Sequence, residues 1–121
     1  MTLDVLAAAA AAFVVGFLWY SKSLFGETWM KLSKVKPPKE MNPMYMVYAF
    51  ASTFVTAYVL NIFISASMQP FLTAILLWLG FIGTTSLGSF LWEGKPFNLW
   101  ILNNAQSIVS LLVMVFVLGL F

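Results

Sequence analysis

The sequence predicts an all-α membrane protein: four transmembrane helices in a compact bundle, with a short amphipathic helix after the first. The first observation is composition, because the 121 residues are 62% hydrophobic and 8% charged, whereas soluble domains carry about 25% charged residues. The second is that four apolar runs approach or exceed about 20 residues, the length that crosses a bilayer as a helix. Strands are not expected, since the alternating pattern of a membrane barrel is absent. The length indicates a single domain, residues 1–121.

The four apolar runs cover residues of about 3–20, 43–64, 70–92 and 97–120. Pro43 and Pro70 begin the second and third runs, and the first turn of a helix tolerates proline. We do not expect the first run to be a cleaved signal peptide, because no basic residue precedes it and Asp4 carries the opposite charge.

The segment after the first run, about residues 24–35, has the pattern of an amphipathic helix lying at the membrane interface. Its apolar face comprises Leu24, Phe25, Thr28, Trp29, Leu32 and Val35, and its polar face comprises Glu27, Lys31 and Lys34. Pro37 is expected to end it. Lys22, Lys31 and Lys34 are expected to attract anionic lipid head groups, with about 1 kcal/mol per residue near the surface.

The basic residues predict the orientation. Five lysines lie between Lys22 and Lys39, after the first run, and Lys95 lies between the third and fourth runs. The positive-inside rule places both loops in the cytoplasm, which predicts a multi-pass protein of the cell membrane with both termini outside. The expected aromatic anchors at this interface are Trp19, Tyr20, Trp29, Trp92 and Trp100.

Small residues recur at a spacing of four in three of the runs, and in the second run they are Ala49, Thr53 and Ala57. The helix-packing positions predicted from them are Ala8, Ala12 and Gly16 in the first run, and Gly80, Thr84 and Gly88 in the third. Such spacing lets helix backbones approach closely. It is typical of tight packing inside the bundle or of a contact in a homodimer.

Polar residues concentrate at the start of the fourth run, in the sequence NNAQS. The candidate ligand cluster comprises Glu93, Asn103, Asn104 and Gln106, with Ser107 and Ser110 on the same helical face as Asn103 and Gln106. One interpretation is hydrogen bonding between helices, which contributes about 0.6 kcal/mol per bond on average. The other is a small polar cavity that opens to the cytoplasm with Glu93 at its mouth.

Three stretches also resemble a known family: WYSKSLFGETWMKL, GFIGTTSL and FLWEGKPFNLWILNNAQSIVSL. In order and spacing they are similar to domain of unknown function 1761, over nearly the whole chain. The resemblance implies a small four-helix membrane protein, mostly prokaryotic, without an established reaction. Positions matching the recurrent motifs are Trp19, Tyr20, Phe25, Gly26, Trp29, Glu93 and Asn103. Family members often carry a histidine after the asparagine, where this chain has Gln106 and Ser107.

A short repeat leaves two interpretations open. Residues 17–22 and 90–95 share Phe-Leu-Trp followed by Lys at the same offset. A duplicated helical hairpin would produce this, with two halves related by an axis along the membrane normal. Any helix that ends at a cytoplasmic interface in aromatic residues and lysine would also produce it.

The residue types argue against an enzyme. The chain has no Cys and no His, and its four acidic residues are dispersed, so no catalytic set, metal site or cofactor site is expected. The predicted function is a structural, accessory or self-associating membrane component. The alternative is a carrier or binding protein for a small solute or lipid, using the polar cluster. The expected partners are the lipid bilayer and copies of this chain or a larger membrane complex, and no nucleic acid.

Overall fold

In the computed structural model, residues 2–34 and 43–121 are described, and within these ranges the chain forms helices and turns without strands. The helices are α1 (Thr2–Trp19), α2 (Gly26–Ser33), α3 (Pro43–Ser65), α4 (Pro70–Leu91) and α5 (Phe97–Gly119). Helices α3, α4 and α5 are long and apolar enough to cross a membrane, whereas the apolar part of α1, Leu3–Trp19, is shorter. The all-helical class is therefore confirmed, with three membrane-length helices. The predicted end of the amphipathic segment at Val35 and Pro37 lies outside the described residues.

Helix α5 occupies the centre, because it contacts each of the other four helices. Helix α1 packs along both α5 and α3. The buried core is made mainly by Val5, Ala8, Ala9, Ala12, Ala57, Leu60, Ala74, Leu111, Met114, Val115 and Leu118. Except for Ala12, these residues come from the first halves of α1 and α4 and the second halves of α3 and α5. Consecutive long helices thus run in opposite directions, and the dense core lies towards the ends that carry the chain termini.

Helix α4 changes its winding in the middle. It is α-helical over Pro70–Leu77, a π-helix over Trp78–Gly83, and α-helical again over Thr84–Ser86 and Gly88–Leu91. A π-turn holds an additional residue, so it rotates the following side chains relative to a regular helix. At its end Gly83 is buried against the indole ring of Trp78: an added Cβ would lie 2.9 Å from the nearest ring atom.

The turn between α1 and α2 depends on a glycine. The backbone N–H of Phe25 donates to the carbonyl of Trp19 (3.0 Å), and that of Gly26 donates to Ser21 (2.9 Å). A Cβ at Gly26 would lie 2.5 Å from the carbonyl oxygen of Tyr20 and 2.7 Å from that of Ser21. Only glycine therefore fits where α2 begins.

Candidate functional site

The structure does not bring the four residues of the candidate ligand cluster together. Glu93 is exposed in the turn between α4 and α5. Asn103, Asn104 and Gln106 lie on α5 but have different partners. The cluster divides into an exposed acid, two asparagines that link helices, and an amide that lines a groove.

Asn103 links the end of α1 to α5. The hydroxyl of Tyr20 donates to Asn103 Oδ1 at 2.8 Å. The backbone carbonyl of Asn103 also accepts from the Ser107 hydroxyl at 3.2 Å. The ring of Tyr20 packs edge-on to Trp29 of α2, with centroids 5.9 Å apart. This asparagine therefore fixes the α1–α2 corner against the central helix.

Asn104 links α5 to the segment of α4 that follows the π-turn. It is 4% exposed, its Oδ1 accepts from the Ser86 hydroxyl (3.2 Å), and its Nδ2 donates to the Trp100 carbonyl (2.9 Å). The indole N–H of Trp100 donates to the Gly83 carbonyl (3.3 Å) and to Ser86 Oγ (3.2 Å). These bonds pair both the oxygen and the nitrogen of the buried amide, so the Asn104 side chain joins α4 to α5.

Gln106 lines a groove of about 420 Å³ between α1, α3, α4 and α5. We name it the polar groove. Its wall comprises Ala12, Phe13, Gly16, Phe17, Met46, Ala49, Thr53, Thr56, Ile82, Gln106, Ser107, Ser110, Leu111 and Met114. None of these residues is ionisable. Binding sites for small molecules are commonly 300–1,000 Å³ and mostly apolar with a few polar groups, and the polar groove has this character.

Most hydroxyls on the wall already have acceptors on their own helices. Thr53 and Thr56 donate to the carbonyls of Ala49 (2.9 Å) and Ser52 (3.0 Å). Gln106 Nε2 donates to Ser110 Oγ at 2.7 Å. Gln106 Oε1 accepts no hydrogen bond from residues 2–34 and 43–121, so it is an acceptor that the wall leaves open.

The polar groove lies near the middle of α5, away from the end that begins at Phe97. Gln106 and Ser110 follow Phe97 by nine and thirteen residues, or about 14 and 20 Å at 1.5 Å per residue, in a helix of about 34 Å. One of the two interpretations of the sequence was a cavity at the cytoplasmic end with Glu93 at its mouth. The cavity that contains Gln106 is instead near the helix centre, and Glu93 is not on its wall.

A second cavity of about 410 Å³ lies between α3 and α4, and we name it the apolar groove. It is lined by Val55, Thr56, Val59, Leu60, Phe63, Leu77, Phe81, Ile82 and Leu111. Thr56, Ile82 and Leu111 belong to both walls. The two grooves therefore border each other at these three side chains.

The predicted packing residues have unequal surroundings. Ala8 and Ala12 are 0% and 3% exposed, and a Cβ on Gly16 would lie 3.2 Å from Gln106 Nε2. Gly80 and Thr84 are exposed, and nothing lies within 4 Å of a Cβ at Gly80. Gly88 is half-buried, with Trp92 of its own helix 3.6 Å from such a Cβ.

The predicted interface residues lie at one end of the molecule. Trp92 is 85% exposed, and Lys22, Lys31 and Lys34 are exposed. Trp19 packs on Phe25, with ring centroids 4.7 Å apart, and Trp100 stacks on Phe97 at 5.4 Å. Lys95 Nζ donates to the Ser33 carbonyl at 3.5 Å, joining the α4–α5 turn to α2.

Sequence reasoning missed the wall residues contributed by other helices, among them Phe13, Met46 and Thr56. Their positions depend on how α1, α3 and α5 pack, which periodicity within one helix does not reveal. The only available signal was the alignment of Thr53 with Ala49 at a spacing of four. Within the described ranges, no group of three or more Asp, Glu, His or Cys side chains could hold a metal ion.

Comparison with known proteins adds the family. The model of DUF1761, a protein family of unknown function, matches residues 3–119. The chain belongs to this family. The resemblance read from the sequence is thereby confirmed over almost the full length. No curated protein and no solved structure matches the chain.

Proposed function

We propose that this DUF1761 protein is a membrane protein that binds an uncharged molecule in the polar groove. The observation that carries the proposal is Gln106, an amide on an apolar wall whose Oε1 lacks a partner among the described residues. This oxygen is accessible from the groove, because it is not among the buried side-chain atoms without a partner. A ligand hydroxyl or N–H would donate to it.

The charge of the groove limits the ligand. Among residues 2–34 and 43–121, no lysine or acidic residue lies on its wall, and an isolated ion is strongly disfavoured away from water. A neutral hydrogen-bonding group with an apolar body therefore fits best. The proposed role is binding or carriage without catalysis, in agreement with a sequence that contains neither His nor Cys.

Photolabelling tests this function directly. The probe is an octan-1-ol that carries a diazirine, applied to the protein in nanodiscs, and an octane diazirine without the hydroxyl is the reference. We expect the alcohol to label the groove segments of α1, α3 and α5 at least fivefold more than the octane does. Equal labelling by both probes would overturn the proposal.

Two variant pairs locate the label. Gln106→Leu removes the open acceptor, and Asn98→Leu makes the same change at an exposed position of α5. Ala49→Trp fills the groove from its wall, whereas Ala51→Trp lies on the same helix outside the wall. Labelling should fall in Gln106→Leu and Ala49→Trp only. A similar loss in both controls would show that the label does not report the groove.

For the topology, we propose four membrane crossings, with α1 as the fourth span and α2 at the cytoplasmic interface. Packing of α1 along α5 and α3 supports this arrangement, because a helix so placed shares their axis. Exposed Lys22, Lys31 and Lys34 would then meet lipid head groups through general attraction. A cysteine at Met68, which is 99% exposed, should react with an impermeant reagent outside the cell, and one at exposed Ser23 should not. The reverse pattern would invert the orientation.

A structural or self-associating role is the second candidate, and the exposed face of α4 favours it. Gly80 and Thr84 form a shallow strip there, between large exposed side chains such as Leu79 and Phe81. Small residues at this spacing suit helix contacts in membranes. Cross-linking through a cysteine at Thr84 would detect a dimer through this face, and Gly80→Leu should abolish it. Monomers at all protein-to-lipid ratios would exclude self-association.

A further inference from the structure

The two grooves differ sharply in chemistry although they share a wall. The polar groove contains Gln106, Ser107, Ser110 and two threonines. Among the described residues that line the apolar groove, Thr56 alone has a polar side chain, and its hydroxyl already donates to the Ser52 carbonyl. A ligand that occupies both would need a hydrogen-bonding group at one end and a purely apolar remainder.

The positions of the wall residues give the direction of such a ligand. The polar groove uses Met46 to Thr56 of α3, and the apolar groove uses Val55 to Phe63 of the same helix. A ligand that extends from the polar groove into the apolar groove therefore runs along α3, from the first half of this helix into its second half. The second half of α3 lies beside the dense core, towards the end that carries the chain termini.

We propose, as an extension of the proposed function, that the ligand is a single-chain lipid with a small uncharged hydroxyl or carbonyl-containing head. The head lies beside Gln106 and Ser110, and the chain crosses Thr56, Ile82 and Leu111 into the apolar groove. A head that only accepts hydrogen bonds uses the Ser110 hydroxyl, and a head that donates uses Gln106 Oε1.

Ordinary phospholipids do not fit this arrangement. Their charged heads belong at the membrane surface, whereas Gln106 and Ser110 lie near the middle of α5, on a wall to which the described part of the chain contributes no basic residue. Charge at that depth is costly. A second acyl chain would also need a second apolar compartment beside the head. The two grooves together contain a single such compartment, the apolar groove.

The structure also indicates where the chain can be blocked. Val59 lines the apolar groove but not the polar groove. It is 44% exposed, so a larger side chain fits there without disturbing the core. Val47 is a matched control, because it is 55% exposed on the same helix and lies on neither wall. Val59→Trp and Val47→Trp are therefore the same substitution, but only Val59→Trp narrows the apolar groove.

The test compares chain lengths and heads in nanodiscs. The photoprobe is hexadecan-1-ol with a diazirine at the chain end, and the competitors are octan-1-ol, hexadecan-1-ol, palmitate and hexadecylphosphocholine. We expect the label on apolar-groove residues of α3 and α4. Hexadecan-1-ol should displace it at a concentration at least tenfold lower than each of the other three.

The variants separate the inference from the proposed function. Val59→Trp should remove the advantage of the long chain while labelling of the polar groove by the octan-1-ol probe is unchanged, and Val47→Trp should behave as the wild type. Equal competition by long and short alcohols, or by palmitate, would overturn the lipid inference and leave the binding function intact. Failure of the octan-1-ol probe to label the polar groove would overturn both.

Discussion

Helices α1 and α4 carry the same small-residue pattern, yet the structure surrounds the two patterns differently. In α1 the pattern is buried, with Ala8 0% and Ala12 3% exposed. In α4 it faces outwards, and no atom lies within 4 Å of a Cβ at Gly80. A spacing of four shows that a neighbouring helix can approach. It does not show that one is present.

The π-turn of α4 accounts for part of this difference. Gly83, three residues after Gly80, is the glycine that is buried in this helix, beneath the ring of Trp78. Its carbonyl accepts from Trp100 of α5. The wider turn thus directs Gly83 and Ser86 towards the central helix, while Gly80 and Thr84 remain outside.

The largest expected effect comes from enlarging the buried pattern. Ala8→Leu adds three carbon atoms where α1 has no free surface, and overpacking of this kind typically costs about 1–3 kcal/mol. We expect a loss at the upper end of that range, measured by SDS titration of the protein in mixed micelles. Gly80→Leu is the matched change on α4 and should not lower the free energy of unfolding. Equal losses in the two variants would show that the α4 face is also packed.

A smaller loss is expected from the polar link between α4 and α5. Asn104→Leu leaves the Ser86 hydroxyl and the Trp100 carbonyl without the amide that pairs with them. Such a change costs about 1–3 kcal/mol when a partner remains buried, and we expect about 2 kcal/mol in the same titration. Asn98→Leu is the control, since Asn98 is exposed on the same helix. If the two variants unfold alike, the link does not stabilise α4.

The smallest effects are expected at Gly80 and Gly83 of α4, where substitution by alanine should change the free energy of unfolding in opposite directions. Gly83→Ala places a Cβ 2.9 Å from the Trp78 ring, so the ring must move, and we expect a loss of about 1 kcal/mol. Gly80→Ala meets no atom and should gain up to about 1 kcal/mol from helix propensity. Stability that rises in both variants would contradict the π-turn geometry.

The sequence was sufficient for the helical class and the family. Composition and run length predicted helices, because a helix pairs its backbone within one segment in a membrane and the alternating pattern of a barrel is absent. The motifs around Trp19 and Glu93 predicted the family that the comparison confirmed. Both depend on local patterns, which a single sequence contains.

The site was only partly predictable. Gln106 was selected because it is a polar residue within an apolar run, and the structure places it on a groove wall. The sequence did not reveal that the other three members of the cluster, Asn103, Asn104 and Glu93, are absent from the groove wall that contains Gln106. Residues at i and i+1 on a helix point about 100° apart, and the faces they meet depend on the tertiary position of α1 and α4.

The claim that the polar groove holds an uncharged ligand is tested most directly by native mass spectrometry. The protein is released from its own membranes in a mild detergent, and the masses that remain bound are identified. We expect the wild type and Asn98→Leu to carry an uncharged lipid, and Gln106→Leu to carry at least fivefold less of it. The same adducts at the same level in Gln106→Leu, or adducts limited to charged phospholipids, would contradict the account.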